Sequence, residues 1–269
     1  MKRILLTNDD GITRPGLWAL YDVLKEFGDV LVVAPESARS ATGMSITLHK
    51  PLRMKKVSIH GTTAYACSGT PSDCVILAVN KLFSGKLPDL VVAGINEGNN
   101  VSLQAVYGSG TVAAAVRAAL LGVPAAALSL ASKEEEPASF GWFRKAMRRA
   151  AGRAGPIVEW LLTNGMPEDV DYLSVNFPPE VNHQTPVKFT RAGRIRYREM
   201  VEERQDPQRR IYYWLHGKLI PESEFEPDTD VYALFVEKAV SVSPMRLDTS
   251  APDVSRFRGL AELLSRARP

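Results

Sequence analysis

Residues 3–11 read RILLTNDDG, and this stretch decides the predicted fold. Its apolar residues follow one another without a polar residue between them, and the run then ends at a polar cluster. The same continuous apolar pattern recurs in DVLVVA at 29–34 and in DLVVA at 89–93. Strands of this kind are buried on both faces, which requires helices on both sides of a parallel sheet. We therefore predict an α/β fold with an open, doubly wound, mostly parallel sheet.

Helical patterns separate these predicted strands. Their apolar residues recur at helical spacing, and polar or small residues mark their ends. Helices are predicted over 15–27, 72–83, 111–121 and 140–162, and two further strands over 124–130 and 171–176. Ser72 is the predicted N-cap of the second helix. This alternation of strand and helix is what a doubly wound sheet requires.

The chain after residue 182 has a different pattern. Strands without intervening helices are predicted at 187–190, 195–201, 211–215 and 231–236. We therefore predict two parts, an α/β core at 1–182 and a C-terminal extension of β-hairpins with a terminal helix at 183–269. Extended hairpins expose strand edges that commonly pair with another subunit, so we expect a homo-oligomer; a solvated surface hairpin is the alternative. A smaller hairpin is predicted inside the core, over 52–59 and 62–67.

The composition limits the class of protein. The 269 residues include 33 Lys and Arg against 30 Asp and Glu, a net charge of +3 that is too balanced for a protein whose main role is to coat a polyanion. The two cysteines, Cys67 and Cys74, cannot form a disulfide framework or fill a zinc site alone. The start of the chain lacks a signal-peptide apolar stretch, and the most apolar region, 112–130, contains Arg117 and Pro124. We expect a cytoplasmic protein with no nucleic-acid and no membrane partner.

Two adjacent carboxylates, Asp9 and Asp10, follow the first predicted strand. Ligands of doubly wound sheets bind beyond the carboxyl ends of the strands, so both residues are candidate site residues. Neighbouring carboxylates at a partly buried edge repel each other, and a hard divalent cation would remove that cost. Gly11 then allows a sharp turn. The alternative is structural, with one aspartate capping the following helix and the other solvated.

Other oxygen-bearing residues follow neighbouring strands. Asn96 lies in GINEGNN at 94–100, a hydroxyl-rich loop covers 35–47, and SGT at 109–111 begins an Ala-rich helix. Small residues at a helix start present free N–H groups and the positive end of the helix dipole, which suits a phosphate group; ordinary helix capping is the alternative. An all-oxygen ligand set favours magnesium, manganese or calcium over zinc. These features predict metal-assisted phosphoryl chemistry.

Competing functional classes remain open on these residues. The chain has no GxxxxGK[ST] loop, and no GxGxxG follows the first strand, so ATPase and dinucleotide-binding functions lose support. A non-enzymatic phospho-receiver or metal-dependent nucleotide-binding module also places an acidic pair after its first strand. A receiver needs a phospho-accepting aspartate at another strand end, where this chain has Ser-rich and Asn-containing loops. A nucleic-acid-binding protein is disfavoured because the basic residues of the C-terminal part alternate with acidic ones.

The sequence resembles the SurE family of survival-protein nucleotidases. The resemblance lies in ILLTNDDG at 4–11, ARSATGMSIT at 38–47, SGTPSDCV at 68–75, PDLVVAGINEGNN at 88–100, SGTVAAA at 109–115, NFP at 176–178 and TRAGRIRY at 190–197. It implies a Rossmann-like α/β domain whose extended C-terminal β part assembles a homodimer or homotetramer. It also implies metal-dependent hydrolysis of nucleoside 5′- and 3′-monophosphates and, in some members, cleavage of polyphosphate ends.

The resemblance also implies site residues. One divalent metal ion per subunit, Mg²⁺, Mn²⁺ or similar, would be held by Asp9, Asp10, Ser40 and Asn96. Ser37, Thr42 and Ser45 are the other hydroxyls close to Ser40 in the sequence.

We predict that Asp9, Asp10 and Asn96 are catalytic, with Asp9 assisting proton transfer or acting as nucleophile. Phosphate charge would be stabilised by the backbone N–H groups of Ser109, Gly110 and Thr111 and by the Asn100 side chain. The family usually reads Tyr-Ser-Gly-Thr, whereas this chain inserts Gly108 after Tyr107. The difference affects the placement of Tyr107 more than that of the predicted phosphate site.

Overall fold

The computed structural model describes residues 1–132, 140–250, 253 and 255–266. The strands are β1 (Arg3–Thr7), β2 (Asp29–Pro35), β3 (Met54–Ile59), β4 (Thr62–Cys67), β5 (Leu90–Glu97), β6 (Ala125–Leu130), β7 (Tyr172–Phe177), β8 (Val187–Phe189), β9 (Tyr197–Gln205), β10 (Ile211–Leu219) and β11 (Val240–Met245). The helices are α1 (Pro15–Leu24), α2 (Pro71–Leu77), α3 (Ser102–Gly108), α4 (Gly110–Ala119), α5 (Phe140–Asn164), α6 (Asp230–Phe235) and α7 (Arg258–Arg266). None of these described helices has both the length and the apolar character that crossing a membrane requires.

Most of the strands form one sheet. Its order is β3-β4-β2-β1-β5-β6-β7-β11-β8, as far as the described residues show. The six strands from β4 to β7 in this order are parallel, whereas β3 is antiparallel to β4 and β11 is antiparallel to β7. The predicted α/β fold with a mostly parallel sheet is therefore confirmed.

The two faces of the sheet pack against different helices. In β1, Ile4 and Leu6 join a core with residues of α1 and α5, whereas Leu5 joins a second core with residues of α2 and α4. All three β1 side chains are fully buried. Burying a leucine-sized side chain contributes roughly 1.5–3 kcal/mol, so the continuous apolar run is stabilised from both sides. This is why the strands lack the polar alternation of a half-exposed sheet.

The chain direction places a crevice at the carboxyl end of β1. β2, the next strand along the chain, lies on one side of β1, and β5 lies on the other, with Leu6 opposite Val92 and Thr7 opposite Ala93. The strand order thus reverses at β1. In open α/β sheets, such a switch point separates the connecting segments and leaves room for a ligand.

Part of the C-terminal region leaves the sheet as a two-stranded ribbon, here called the arm (residues 197–219). β9 and β10 pair antiparallel from Tyr197 opposite Leu219 to Gln205 opposite Ile211. All nine residues of β10 are exposed, as are eight of the nine in β9. The predicted strand at 195–201 corresponds to β9, which begins two residues later and ends at Gln205. The predicted strand at 211–215 corresponds to β10, which extends to Leu219.

One strand prediction in this region, 231–236, is wrong, because residues 231–235 belong to helix α6 and Val236 is its C-cap. The Thr229 hydroxyl accepts a hydrogen bond from the Tyr232 N–H at 3.3 Å and caps the helix. Val231 and Leu234, three residues apart, are buried together with Val101. The β-branched and aromatic composition indicated a strand, but capping and one-sided burial give a short helix.

The cap of α2 also differs from the prediction. Thr70, not Ser72, is the N-cap, since its hydroxyl accepts from the Asp73 N–H and the Asp73 carboxylate accepts from the Thr70 N–H at 2.9 Å. This reciprocal capping box begins the helix two residues earlier and leaves Ser72 buried in the first turn. The helix continues past Leu77 as a π-helical turn over Ala78–Leu82. α3 and β11 were not among the predicted elements.

Candidate active site

Asp9 and Asp10 lie at the switch point, directly after β1. The Asn8 side chain accepts a hydrogen bond from the Gly11 N–H at 3.2 Å and donates one to the Gly11 carbonyl at 3.0 Å. Gly11 has a φ of +113°, a conformation that a side chain would strain, and its missing Cβ would lie 3.4 Å from the Ser37 backbone. The NDDG sequence thus forms a closed turn that fixes the backbone carrying both aspartates.

The start of α4 contacts Asp9. The Thr111 hydroxyl donates a short hydrogen bond to Asp9 Oδ1, and the backbone N–H groups of Gly110 and Thr111 also bond Asp9. A Cβ at position 110 would lie 2.9 Å from the Asp9 Cβ, so a glycine is required for this approach. The start of α4 therefore lies against a carboxylate, and the phosphate-binding role of residues 109–111 stays a prediction.

Ser109 has a capping role in this arrangement. Its hydroxyl accepts a hydrogen bond from the Val112 N–H at 3.1 Å and serves as the N-cap of α4. The capping alternative therefore describes the Ser109 side chain, while the N–H groups of Gly110 and Thr111 point to Asp9. Tyr107 is 62% exposed near the end of α3, and Gly108 separates it from the cap.

Burial raises the pKa of both aspartates. Asp9 is buried, and its hydrogen bond from Thr111 only partly offsets the rise in its pKa. The pKa of Asp10 rises to about 7, chiefly because of burial and then because of repulsion from Asp9. The Glu97 N–H donates to Asp10 Oδ2 at 3.0 Å and lowers that pKa, while the Glu97 carboxylate is engaged by Arg14. The pair therefore carries an unfavourable negative charge that a cation would stabilise.

Asn96 lies near the end of β5, the strand that pairs with β1. β5 runs to Glu97, four residues beyond the predicted end of the strand, and its pairing with β6 shifts between Ala93 and Asn96. Such a bulge re-aims side chains near active sites. The Asn96 side-chain nitrogen donates to the Gly98 carbonyl at 2.9 Å, which leaves the side-chain oxygen as the ligand atom.

Asn100 lies deeper than expected for a residue that binds substrate. It is buried, and its side-chain nitrogen donates to the Ser129 hydroxyl at 2.9 Å. Its N–H donates to Asn176 Oδ1 at 2.7 Å. Ser129 and Asn176 were not among the predicted site residues. Asn176 follows the same rule as Asn96, a polar residue near the carboxyl end of a buried strand, and that rule could have identified it.

The loop after β2 closes over the same place. The Arg39 N–H donates to the Asp9 carbonyl at 2.7 Å, and the Gly43 N–H donates to the Gly108 carbonyl at 2.9 Å. The Thr42 hydroxyl donates to the Arg39 carbonyl and lies 3.1 Å from where a Cβ on Gly110 would be. Ser40 is exposed in this loop. The loop thus spans Asp9 and the start of α4, and the Thr42 hydroxyl lies beside Gly110.

The donor set fits a hard cation. It combines two carboxylates with amide and hydroxyl oxygens, which are the ligands that Mg²⁺, Mn²⁺ and Ca²⁺ prefer. Among the described residues, no group of three or more His, Cys, Asp and Glu is placed to hold a metal ion, so amide and hydroxyl oxygens would have to complete the site. Among the described residues, neither aspartate forms an ion pair with a basic side chain, and a divalent ion would balance their charge.

Comparison with known proteins shows the family to which the chain belongs. The sequence model of the family described as "Survival protein SurE" matches residues 4–199. The chain belongs to the SurE family. The resemblance stated from the sequence is thereby confirmed. Two SurE relatives named "5'-nucleotidase SurE", from Hyperthermus butylicus and Pyrobaculum arsenaticum, are each 46% identical to this chain, covering 93% and 94% of it and 87% and 93% of their own lengths.

A solved SurE structure agrees with the fold. The crystal structure of the SurE protein from Aquifex aeolicus superposes with a TM-score of 0.79 at 34% identity, covering 98% of this chain and 99% of that one. The likeness therefore includes both the sheet and the C-terminal region.

Proposed function

We propose that the chain is a divalent-metal-dependent phosphomonoesterase that hydrolyses nucleoside 5′- and 3′-monophosphates to the nucleoside and phosphate. The observation that carries the proposal is the juxtaposition of the Asp9–Asp10 pair with the N-terminus of α4 at the switch point of the sheet. Membership of a family whose curated relatives are named 5′-nucleotidases supports a phosphoric monoester hydrolase.

The proposed metal ligands are Asp9, Asp10, Asn96 and a hydroxyl of the loop after β2. Ser40 is the proposed hydroxyl, with Thr42 as the alternative because of its contact with the Arg39 carbonyl. One ion per subunit, Mg²⁺ or Mn²⁺, would lower the pKa of a bound water and polarise the phosphoryl group. Burial of both carboxylates suits this role, since a desolvated pair gains more from a cation than an exposed pair does.

The chain's own residues would bind the phosphate and move the proton. The N–H groups of Gly110 and Thr111 would bind phosphate oxygens, because the start of a helix favours anions. Asp9 would accept the proton of the attacking water, or attack phosphorus itself. With water as the nucleophile, the ester P–O bond breaks and the proton taken up by Asp9 passes to the leaving oxygen. With Asp9 as the nucleophile, the same bond breaks as an aspartyl phosphate forms, a solvent proton reaches the leaving oxygen, and water then hydrolyses the aspartyl phosphate to release phosphate.

The arm is the proposed assembly surface of a homodimer or homotetramer. Val201, Trp214 and Leu215 are 62%, 56% and 82% exposed along it. An isolated two-stranded ribbon is marginally stable in water, so a partner surface would explain its length. We propose the α/β core, 1–182, as the part that carries the chemistry, and 183–269 as the part that carries assembly.

The charges of the arm support the absence of a nucleic-acid partner. Arg198, Arg204 and Arg210 form ion pairs with Glu224, Glu202 and Asp206. A surface that binds phosphates needs unneutralised cations. The buried Cys67 and Cys74 are unpaired thiols, which supports a reducing, cytoplasmic location.

Phosphate release tests the proposal directly. Purified protein treated with EDTA should release no phosphate from AMP, GMP or 3′-AMP, and Mg²⁺ or Mn²⁺ should restore release. Activity that survives EDTA would contradict metal dependence. Metal binding without phosphate release from any nucleotide would instead favour a non-enzymatic binding module.

A further inference from the structure

Arg196 is a buried charged residue at the base of the arm. Only 2% of it is exposed, and its guanidinium lies 3.7 Å from the centre of the Phe235 ring and 4.9 Å from that of Tyr197. Burying a guanidinium is costly, and aromatic faces recover part of the cost through cation–π attraction. Hydrogen bonds to the guanidinium recover a further part of the cost, so the residues that it bonds bear on its role.

The guanidinium reaches the candidate active site. Arg196 Nη1 donates to Asn99 Oδ1 at 2.8 Å. Asn99 lies between Asn96, a proposed metal ligand, and Asn100, which is fixed against β6 and β7. The hydrogen bond therefore ties the segment that follows Asn96 to the base of the arm.

Neighbouring contacts join the same two segments. Gln104 Oε1 accepts from the Tyr197 N–H at 3.2 Å, and the Leu103 N–H donates to the Gly193 carbonyl at 2.7 Å. Asp230 accepts from the N–H groups of Ser102 and Gly193, both at 2.8 Å. Residues 99–104 thus pack on 193–197 through bonds of both backbone and side chains. Arg196 is the member of this network that bonds the site loop closest to Asn96.

We propose that Arg196 is a positioning residue, which acts through Asn99 to hold the 96–100 loop in its metal- and phosphate-binding conformation. The effect expected on kcat/KM rests on the proposed function. Residues that orient metal ligands typically change metal affinity or activity roughly 10–100-fold when removed. The base of the arm is therefore part of the active-site scaffold, although the arm extends away from the sheet.

The test is a double-mutant cycle of Arg196→Met and Asn99→Ala. Mn²⁺ affinity is measured on substrate-free protein from the electron paramagnetic resonance of free Mn²⁺, and kcat and KM are measured with AMP. Each single variant should weaken Mn²⁺ binding and lower kcat/KM by roughly tenfold. The double variant should lose no more than either single one, because both break the same bond.

Thermal stability separates positioning from packing. Arg196→Met should lower Tm with or without Asn99→Ala, since it also removes the ring contacts. Asn99→Ala keeps those contacts and should lower Tm less, through the loss of one acceptor from a buried guanidinium. Arg191→Met is the matched control, because Arg191 forms an exposed ion pair with Glu226. It should keep wild-type Mn²⁺ affinity and kcat/KM.

Three results would overturn the proposal. The first is wild-type Mn²⁺ affinity and kcat/KM in Arg196→Met. The second is a loss of Mn²⁺ affinity and kcat/KM in Arg196→Met but not in Asn99→Ala. The third is a double variant whose loss equals the product of the two single losses. If Arg196→Met fails to fold, Asn99→Ala decides alone, and wild-type values in it refute the idea. Wild-type protein that releases no phosphate would refute the proposed function instead and leave the Mn²⁺ comparison intact.

Discussion

The central sheet and the arm are both built from paired strands, yet their surroundings are opposite. All six residues of β6 and all six of β7 are buried, whereas all nine of β10 are exposed. The sheet strands are stabilised by helices on both faces, while the arm has no described core of its own. Backbone pairing alone therefore does not show whether a strand is also stabilised by burial of its side chains.

Polar groups differ between the two regions in the same way. Near the strand ends of the sheet they are buried and bonded across long sequence separations, as Thr111 is to Asp9 and Asn100 is to Ser129. In the arm they form exposed pairs between near neighbours, such as Arg204 with Glu202. Exposed pairs contribute little to stability, and desolvated ones can perturb pKa values. We therefore expect chemistry in the core and association in the arm.

The largest expected effect is that of Asp9→Asn on turnover. The substitution keeps the shape of the side chain but removes the carboxylate proposed for metal binding and proton transfer, so phosphate release from AMP should fall by at least roughly 100-fold. Tm should not fall, because the variant removes a buried charge. Asp22→Asn is the matched control, since Asp22 lies on α1 in an exposed pair with Lys25. Near-normal phosphate release from Asp9→Asn would refute its role.

Asp10 gives the next effect, on the stability of the metal-free core. Its pKa in the folded protein is about 7, against an ordinary value of 3.8, so the folded state holds the proton more tightly than the unfolded chain does. The resulting stabilisation is fully present below about pH 4 and is lost as pH rises through about 7. In EDTA, Asp10→Asn should therefore exceed wild type in unfolding free energy at pH 8, by up to about 4 kcal/mol.

Urea denaturation at pH 4 and pH 8 checks this prediction. The advantage of Asp10→Asn should shrink toward pH 4, and Mg²⁺ should stabilise wild type more than the variant at pH 8, since the cation needs the ionised carboxylate. Parallel stability curves for the two proteins across this pH range would contradict the prediction.

The sequence predicted the sheet better than it predicted the C-terminal region, for a physical reason. Continuous burial leaves a continuous apolar pattern, so β1 and β2 were recognisable without any neighbour. The helix α6 was misread as a strand because its six residues are too few to show a helical period. The predicted strand at 187–190 corresponds to β8, whereas β11 was not predicted, because it depends on long-range pairing with β7 and β8.

The candidate site was likewise predictable only in part. The rule that ligands bind beyond strand ends led to Asp9, Asp10 and Asn96, which the structure places near the carboxyl ends of two neighbouring strands. The same rule could not show that Glu97 donates its N–H to Asp10 or that Thr111 donates its hydroxyl to Asp9. Those contacts depend on a strand bulge and on a helix approach that only the folded chain defines.

A smaller effect should come from the cap of α2, which tests local order inside the core. Thr70→Ala removes the capping hydroxyl and should lower the unfolding free energy by about 1 kcal/mol. Ser72→Ala is the comparison, because the buried Ser72 hydroxyl has no hydrogen-bond partner among the described residues and its removal should be neutral or slightly stabilising. Urea denaturation of both variants decides between them. A larger loss in Ser72→Ala would restore Ser72 as the cap.

The smallest effect on the core should come from the arm. Leu215 is 82% exposed near its middle, so Leu215→Ser should change neither the packing of the sheet nor the bonds at Arg196. Phosphate release per chain should stay within about twofold of wild type, since exposed substitutions rarely exceed ±0.5 kcal/mol. If the arm is an assembly surface, light scattering should show a shift toward the 29.5 kDa monomer. An unchanged mass would show that Leu215 does not contribute to assembly. A large loss of turnover would show that the arm contributes to the active site beyond its base.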